Sequence, residues 1–144
     1  MRCNTTLFER LADPEKSAHR SIREDTQEIA DSVMRHLQKL LNTRQGHVPI
    51  RPDYGMPDFT DCAESLPATM DKVRRAIKDS IEAFEPRLHR VKITHLPSDD
   101  SLQLHFGISG QLTTGKQNVS TFFSTRVAPT GSAEVDSRAE VTEF

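Results

Sequence analysis

The sequence predicts an α+β domain in which two main helices pack on a small antiparallel sheet of about three strands. Two observations carry this prediction. Apolar residues recur at helical spacing in two segments before Pro86, and they alternate with polar residues after it. Amphipathic helices and a one-sided sheet each need to cover an apolar face, so they are expected to pack together. A short N-terminal helical leader and a disordered C-terminal tail complete the prediction.

The composition fits one small domain with loose ends. The 144 residues are 35% hydrophobic and 28% charged, with a net charge of −2. Nucleic-acid-binding proteins normally carry a basic excess, so no nucleic-acid partner is expected. No apolar run reaches the roughly 18 residues of a membrane span, so no direct membrane insertion is expected. The N-terminus lacks the apolar core of a signal peptide, and Cys3 and Cys62 have no further cysteines beside them, which favours a cytoplasmic, reduced protein.

The leader, residues 1–20, contains one apolar cluster. Leu7, Phe8 and Leu11 have the spacing of one or two helical turns, which Pro14 would end. So short a helix is not stable by itself, and it must dock or remain disordered. Docking on a partner protein and docking on its own domain are both open alternatives at this point.

The domain itself, residues 21–127, is predicted to begin with a long helix. Ser21 and Glu24 have the spacing of a capping box, in which each side chain satisfies a free amide of the first turn. The apolar residues that follow at helical spacing are Ile22, Ile29, Val33, Leu37, Leu40 and Leu41. The predicted helix end comprises Asn42, Thr43 and Gly46.

A loop from about Arg44 to Pro67 is predicted next, because its prolines and glycines exclude regular structure. Tyr54 and Met56 nevertheless give this loop apolar surface to bury. A second helix follows from about Ala68 to Phe84, and Pro86 ends it. Its apolar stripe comprises Leu66, Met70, Val73, Ile77, Ile81 and Phe84.

The remainder of the domain is predicted to form the sheet. A four-residue turn, Pro97 to Asp100, would put every large apolar side chain of the first hairpin on one face. The pairs in this register are Val91 with Phe106, Ile93 with Leu104, and His95 with Leu102. A third strand is predicted from about Asn118 to Val127. Residues 128–144 are rich in Gly, Ser, Thr and acids without periodicity, and they are predicted to be a flexible tail.

No residue pattern typical of a catalytic or metal site occurs in the sequence. The six histidines lie in different predicted elements without a close ligand pair, so no metal and no cofactor are expected. A glycosidase needs one carboxyl group with a raised pKa. Glu85 beside Phe84 is the candidate, but Arg87 nearby argues against a raised pKa. The protein is therefore predicted not to be an enzyme, and a peptidoglycan hydrolase that uses Glu85 is the alternative.

The tripeptide Glu85-Pro86-Arg87 lies between the second helix and the sheet. Pro86 stiffens this junction and biases Glu85 away from helical backbone angles. Taken alone, the tripeptide is typical of a helix stop followed by a surface ion pair, which contributes less than about 1 kcal/mol. The tripeptide alone leaves open whether the two charged side chains pair with each other or bind separate partners.

Several motifs, present together and in order, resemble the baseplate wedge family of contractile phage tails. They are Leu7-Phe8-Glu9-Arg10-Leu11, Leu40-Leu41-Asn42-Thr43-Arg44-Gln45-Gly46, Arg51-Pro52-Asp53-Tyr54-Gly55-Met56-Pro57-Asp58 and Glu85-Pro86-Arg87. The resemblance is closest to the type VI secretion branch of the family, the TssE subunits, and it covers roughly residues 5–127. Some relatives carry the label lysozyme-like, which the residues around Glu85 support little.

The resemblance implies a non-enzymatic structural subunit of the type VI secretion baseplate wedge. The implied partners are the baseplate proteins TssF, TssG and TssK, together with the contractile sheath of TssB and TssC, whose assembly the subunit helps to start. The implied location is cytoplasmic, at a baseplate docked on the inner membrane. A wedge protein of a phage or of another contractile injection system is the alternative.

The resemblance also indicates candidate partner-binding residues, which are Glu85, Pro86, Arg87, Leu7, Phe8, Leu11 and Arg126. Arg126 is the one charge on the third strand, whose edge is therefore poorly defended against pairing with a sheath strand unless the N-terminal segment covers it. Glu85 and Arg87 are expected either to bind partners or to brace the preceding loop inside the subunit. The structural residues of that loop are Asn42, Thr43, Gly46, Asp53, Tyr54 and Gly55.

Overall fold

Three helices and four antiparallel strands make up the part of the chain that the structure describes. A computed structural model describes residues 6–12, 22–59, 66–99, 103–114, 117–128 and 130–136. The elements are α1 (Leu7–Ala12), α2 (Ile22–Asn42), α3 (Leu66–Phe84), β1 (Leu88–Leu96), β2 (Leu104–Thr114), β3 (Gln117–Val127) and β4 (Ala133–Asp136). The strand order is β1-β2-β3-β4. The α+β prediction is confirmed, and none of the described helices is long and apolar enough to cross a membrane.

The hydrophobic core lies between α2, α3 and one face of the sheet. The helices contribute the predicted stripes, of which Ile29, Val33, Leu37, Leu40, Leu41, Val73, Ile77 and Ile81 are buried. The sheet contributes Val91, Ile93, Phe106, Ile108, Leu112 and Phe123. Burial of each such side chain contributes about 1.5–3 kcal/mol, so this layer is the main source of stability. The predicted capping box cannot be compared, because Ser21 lies outside the described residues and the side chain of Glu24 is not described.

The predicted register of the first hairpin is wrong by four residues. The observed pairs are Ile93 with Ile108, His95 with Phe106 and Leu96 with His105. A shift by an even number of residues keeps every side chain on its face, so apolar alternation could not distinguish the two registers. The connection between β1 and β2 is longer than the predicted turn, and a register shift between His89 and Lys92 places Arg90 at φ 53°.

The predicted flexible tail contains a fourth strand, so the expectations of about three strands and of disorder from Ala128 onward are wrong for β4. This strand pairs with Ser124–Val127 of β3. Two amide side chains of α2 bind the outer backbone groups of β4. Gln38 and Asn42 both donate to the carbonyl of Ala133. Asn42 also accepts from the amide of Ala133, and Gln38 accepts from the amide of Val135. Four residues with two apolar side chains are too weak a pattern to predict such a strand. Residues 137–144 lie outside the described part of the chain.

Candidate functional site

Glu85 is the centre of a buried polar network at the junction of α3 and β1. Its side chain is 1% exposed. Arg87 donates to both carboxylate oxygens, from Nε to Oε1 at 2.9 Å and from Nη2 to Oε2 at 3.0 Å, and its backbone amide donates to Oε1 at 3.2 Å. Bidentate, charge-assisted hydrogen bonds of this kind are the strong ones. The interpretation of the tripeptide as a surface ion pair is therefore wrong.

The partners of Glu85 keep its carboxylate charged. Burial raises the pKa of Glu85, but the hydrogen bonds from His36 and Arg87 and the positive charge of Arg87 outweigh burial and lower the pKa from 4.5 to about 2. The general acid of a glycosidase needs a raised pKa and access to the substrate. Glu85 has neither property, which argues against a hydrolase that uses this residue.

The lowered pKa of Glu85 makes the folding stability depend on pH. The folded state holds residue 85 ionised down to a pH of about 2, whereas the unfolded chain takes up a proton near 4.5. The stability from this carboxylate is therefore fully present above pH 4.5 and is lost as the pH falls towards 2, by at most about 1.4 kcal/mol per pH unit. Urea unfolding across this pH range should show a shallower loss for Glu85→Gln than for the wild type. Parallel pH profiles for the two proteins would contradict the assignment.

His36 of α2 extends the network to the loop between α2 and α3. Its Nδ1 lies 2.7 Å from Glu85 Oε2 and donates, because an ionised carboxylate only accepts hydrogen bonds. Its Nε2 lies 3.3 Å from the hydroxyl oxygen of Tyr54. The Tyr54 ring packs edge-on against Phe84, with 4.9 Å between centroids. The network thus connects α2, the loop and the end of α3, which is the geometry expected of an internal brace.

The loop closes on itself where Met56 meets residues 43–45. The amide of Met56 donates to the carbonyl of Thr43 at 2.7 Å, and the amide of Gln45 donates to the carbonyl of Met56 at 3.0 Å. Gly55 has φ 105° and lies directly against the Thr43 carbonyl. Thr43 also donates from its hydroxyl to the carbonyl of Lys39. These contacts make residues 43–56 of the loop a folded part of the domain.

The other predicted loop residues have separate positions. The amide of Gly46, at φ 87°, donates to the carbonyl of Pro52 across the loop. Asp53 is exposed, and its carboxylate pairs with Arg51. Asn42 binds β4 rather than the loop. Tyr54 therefore connects the loop to Glu85, through His36.

The leader helix α1 docks on its own domain through its acidic residue. Glu9 accepts a hydrogen bond from the Ser32 hydroxyl at 2.7 Å and pairs with Arg35 of α2 at 2.8 Å. Burial raises the pKa of Glu9, but hydrogen bonds from Ser32 and Thr6 and the charge of Arg35 outweigh it and lower the pKa to about 2. The predicted apolar cluster remains uncovered: Leu7, Phe8 and Leu11 are 65%, 82% and 69% exposed.

Three residues of the network were not predicted as site residues from the sequence: Glu9, Ser32 and His36. Ser32 is buried and lies between α1 and the tripeptide, because it accepts from Arg87 Nη1 at 2.8 Å and donates to Glu9. Ser32 and His36 are one helical turn apart beside the apolar stripe of α2. Their spacing is a weak signal for a polar contact on the inner side of a helix.

Arg126 does not lie on a free sheet edge, so that expectation is wrong. Its Nη2 lies 2.6 Å from Asp136 Oδ2 of β4. β4 pairs with β3 at this end of the strand, so the C-terminal segment covers this edge. Within the described part of the chain, Gln117–Phe123 of β3 pair with β2 alone.

A cleft of about 320 Å³ opens away from the Glu85 network. It lies between the loop, the start of α3 and the turn from β3 to β4. Its apolar lining includes Leu41, Met56, Val73, Leu104 and Val127. None of the network residues lines this cleft, so the concave surface and the perturbed carboxyl groups do not combine into one site.

The chain is similar to proteins of phage and type VI secretion baseplates. The model of the family described as baseplate wedge protein gp25 matches residues 27–117. The baseplate wedge protein gp25 of Enterobacteria phage T4 is 28% identical over 74 residues, which cover 51% of this chain and 56% of the phage protein, so the match spans little more than half of that relative. A chain in a solved structure titled the baseplate complex from the type VI secretion system superposes with a TM-score of 0.59 at 24% identity, covering 71% of this chain and 94% of that one. At this identity the likeness shows the fold alone.

Proposed function

The chain belongs to the family of baseplate wedge protein gp25, and from this membership we propose that it is a non-enzymatic structural subunit of the TssE type. In this proposal it binds TssF, TssG and TssK in the wedge of a type VI secretion baseplate and helps to start assembly of the TssB/TssC sheath. It works in the cytoplasm, at a baseplate docked on the inner membrane. The leader motif and the fold shared with a chain of such a baseplate support the proposal.

The observation that carries the proposal is the exposed apolar face of α1. Leu7, Phe8 and Leu11 are uncovered while the opposite side of the helix is held by Glu9. Adjacent exposed apolar side chains on a soluble protein mark a binding surface, and a helix that is already docked loses less entropy on binding. The occupant that fits is a groove with an apolar floor on a neighbouring wedge protein.

A second contact is proposed at the sheet. Gln117–Phe123 of β3 have no strand on their outer side among the described residues. A sheet edge of this length is able to accept another strand through main-chain hydrogen bonds. We assign this segment, in place of the covered region around Arg126, to contact with the sheath.

The proposal predicts that the α1 face is needed for assembly. Replacing Leu7, Phe8 and Leu11 together by serine should lower recovery of baseplate proteins at least tenfold in a pull-down from cells that carry the whole apparatus, because apolar anchors contribute roughly 1–2 kcal/mol or more each. The fold should persist, since these side chains are exposed. Thermal unfolding of the purified variant checks this.

Ile50→Ser is the matched control, because Ile50 is an 89% exposed apolar side chain outside α1. It should leave recovery unchanged. Equal recovery with the triple variant and the wild type would remove α1 from the interface. Absence of every baseplate and sheath protein from the wild-type pull-down would refute the proposed function.

A further inference from the structure

Ser32 connects two parts of the molecule that are far apart in sequence. Its side chain belongs to α2 and is 1% exposed. Its hydroxyl oxygen lies 2.7 Å from Glu9 Oε2 of α1 and 2.8 Å from Nη1 of Arg87. Arg87 uses its other two side-chain nitrogens on Glu85. Within the described part of the chain, one hydroxyl group therefore connects the leader helix directly to the Glu-Pro-Arg tripeptide.

The donor and acceptor roles at this hydroxyl make the connection directional. A serine hydroxyl has one proton to donate and lone pairs that accept. Arg87 only donates, and the ionised Glu9 only accepts, so the Ser32 proton must point towards Glu9. The hydrogen bond from Arg87 polarises the hydroxyl and strengthens its bond to Glu9, as in other hydrogen-bond chains. Moving Arg87 therefore weakens the attachment of α1.

The attachment matters because few other contacts hold α1 among the residues that the structure describes. A helix of six residues is not stable alone, and its large apolar side chains are exposed rather than packed on the domain. The polar contacts that hold it run from Glu9 to Ser32 and Arg35. Of these two described contacts, loss of the one to Ser32 leaves the exposed Arg35 pair, and pairs of that kind contribute little.

We propose that Ser32 is a positioning residue that couples α1 to the Glu85–Arg87 pair, so that the apolar face of α1 is held in place only while Arg87 is fixed by Glu85. The tripeptide then acts on assembly from inside the subunit, by presenting the leader, and not through its own contact with a partner. The statement about assembly rests on the proposed function. The coupling itself is a property of the isolated chain and is tested on it.

Tryptic cleavage after Arg10 in the full-length chain measures how often α1 detaches, because a protease cuts the open form. Ser32→Ala should raise the rate of cleavage at this bond, followed by mass spectrometry, by about tenfold, the effect of losing one hydrogen bond to a charged group. Arg87→Lys should raise it similarly, because a single ammonium group does not bind Glu85 and Ser32 as the guanidinium does. Ser32→Thr, which keeps a hydroxyl, should restore most of the protection.

Ser80→Ala is the matched control. Ser80 is also a buried serine, and its hydroxyl donates to the carbonyl of Gly55, away from α1. This variant should lose global stability without faster cleavage after Arg10. If Ser32→Ala and Ser80→Ala accelerate the cleavage equally, Ser32 has only a general structural role and the proposal is wrong.

A double-mutant cycle completes the test. Glu9→Gln and Arg87→Lys should be non-additive in their effects on the cleavage rate, and in the Ser32→Ala background their effects should become additive. Additivity in the presence of Ser32 would overturn the coupling, whatever the pull-down shows. If the coupling is observed but the pull-down recovers no baseplate partners, the role of Ser32 stands and the proposed function is refuted.

Discussion

Arg87→Ala should lower the free energy of unfolding by about 3–5 kcal/mol, because it leaves a buried carboxylate without its main partner. Glu85 is almost completely buried, and Arg87 supplies three of its hydrogen bonds, one of them from a backbone amide that the variant keeps. Of the described hydrogen bonds to the carboxylate, those from His36 and from the backbone amide of residue 87 would then remain. Urea unfolding near neutral pH, followed by circular dichroism, measures the loss.

Two further variants separate this explanation from a general effect of losing an arginine. Arg74→Ala removes an arginine from an exposed pair with Asp71, and it should cost less than about 1 kcal/mol. Glu85→Gln in the Arg87→Ala background removes the buried charge and should recover part of the loss, since the unpaired charge causes most of it. A loss below about 1 kcal/mol for Arg87→Ala would mean that water reaches Glu85.

Gly55→Ala should cost more than about 3 kcal/mol, because it combines backbone strain with a backbone collision. Gly55 has φ 105°, which residues with a Cβ rarely adopt, and a Cβ there would collide with the carbonyl oxygen of Thr43. That carbonyl accepts the hydrogen bond from Met56 that closes the loop. Relief of the collision must open the closure and displace Tyr54 from His36.

Gly46→Ala provides the matched comparison within the same loop. Gly46 also has positive φ, at 87°, but nothing lies within 4 Å of a Cβ built there. The variant should therefore cost only the conformational strain, about 1 kcal/mol. Thermal and urea unfolding of the two variants compare the costs directly. Equal losses would show that the Thr43 collision is relieved by a small movement and that the loop is softer than its contacts indicate.

The helices and the fold class were predictable because they depend on local patterns. The stripes from Ile29 to Leu41 and from Val73 to Ile81 have helical spacing, and they are buried as expected. Glycines and prolines indicated the position of the loop between the two helices, and Pro86 indicated the end of the second helix. The ordered motifs were sufficient to indicate the baseplate wedge family, whose model matches residues 27–117.

The hairpin register and the fourth strand depended on contacts between distant residues. Apolar alternation is unchanged by an even shift, so it could not choose between Leu104 and Ile108 as the partner of Ile93. β4 is stabilised by Gln38 and Asn42, which are about 90 residues earlier in the chain. Polar side chains of this kind have no periodic signature, and their partners are set by the packed fold.

The same reason explains what remained open about Glu85-Pro86-Arg87. The sequence by itself determined that two opposite charges follow a helix and precede a sheet, within a motif of the baseplate wedge family. Only the tertiary structure decided that this pair is buried, because burial depends on α2 bringing Ser32 and His36 to the junction. Burial changes a weak surface ion pair into a strong internal contact, since solvent no longer screens the charges.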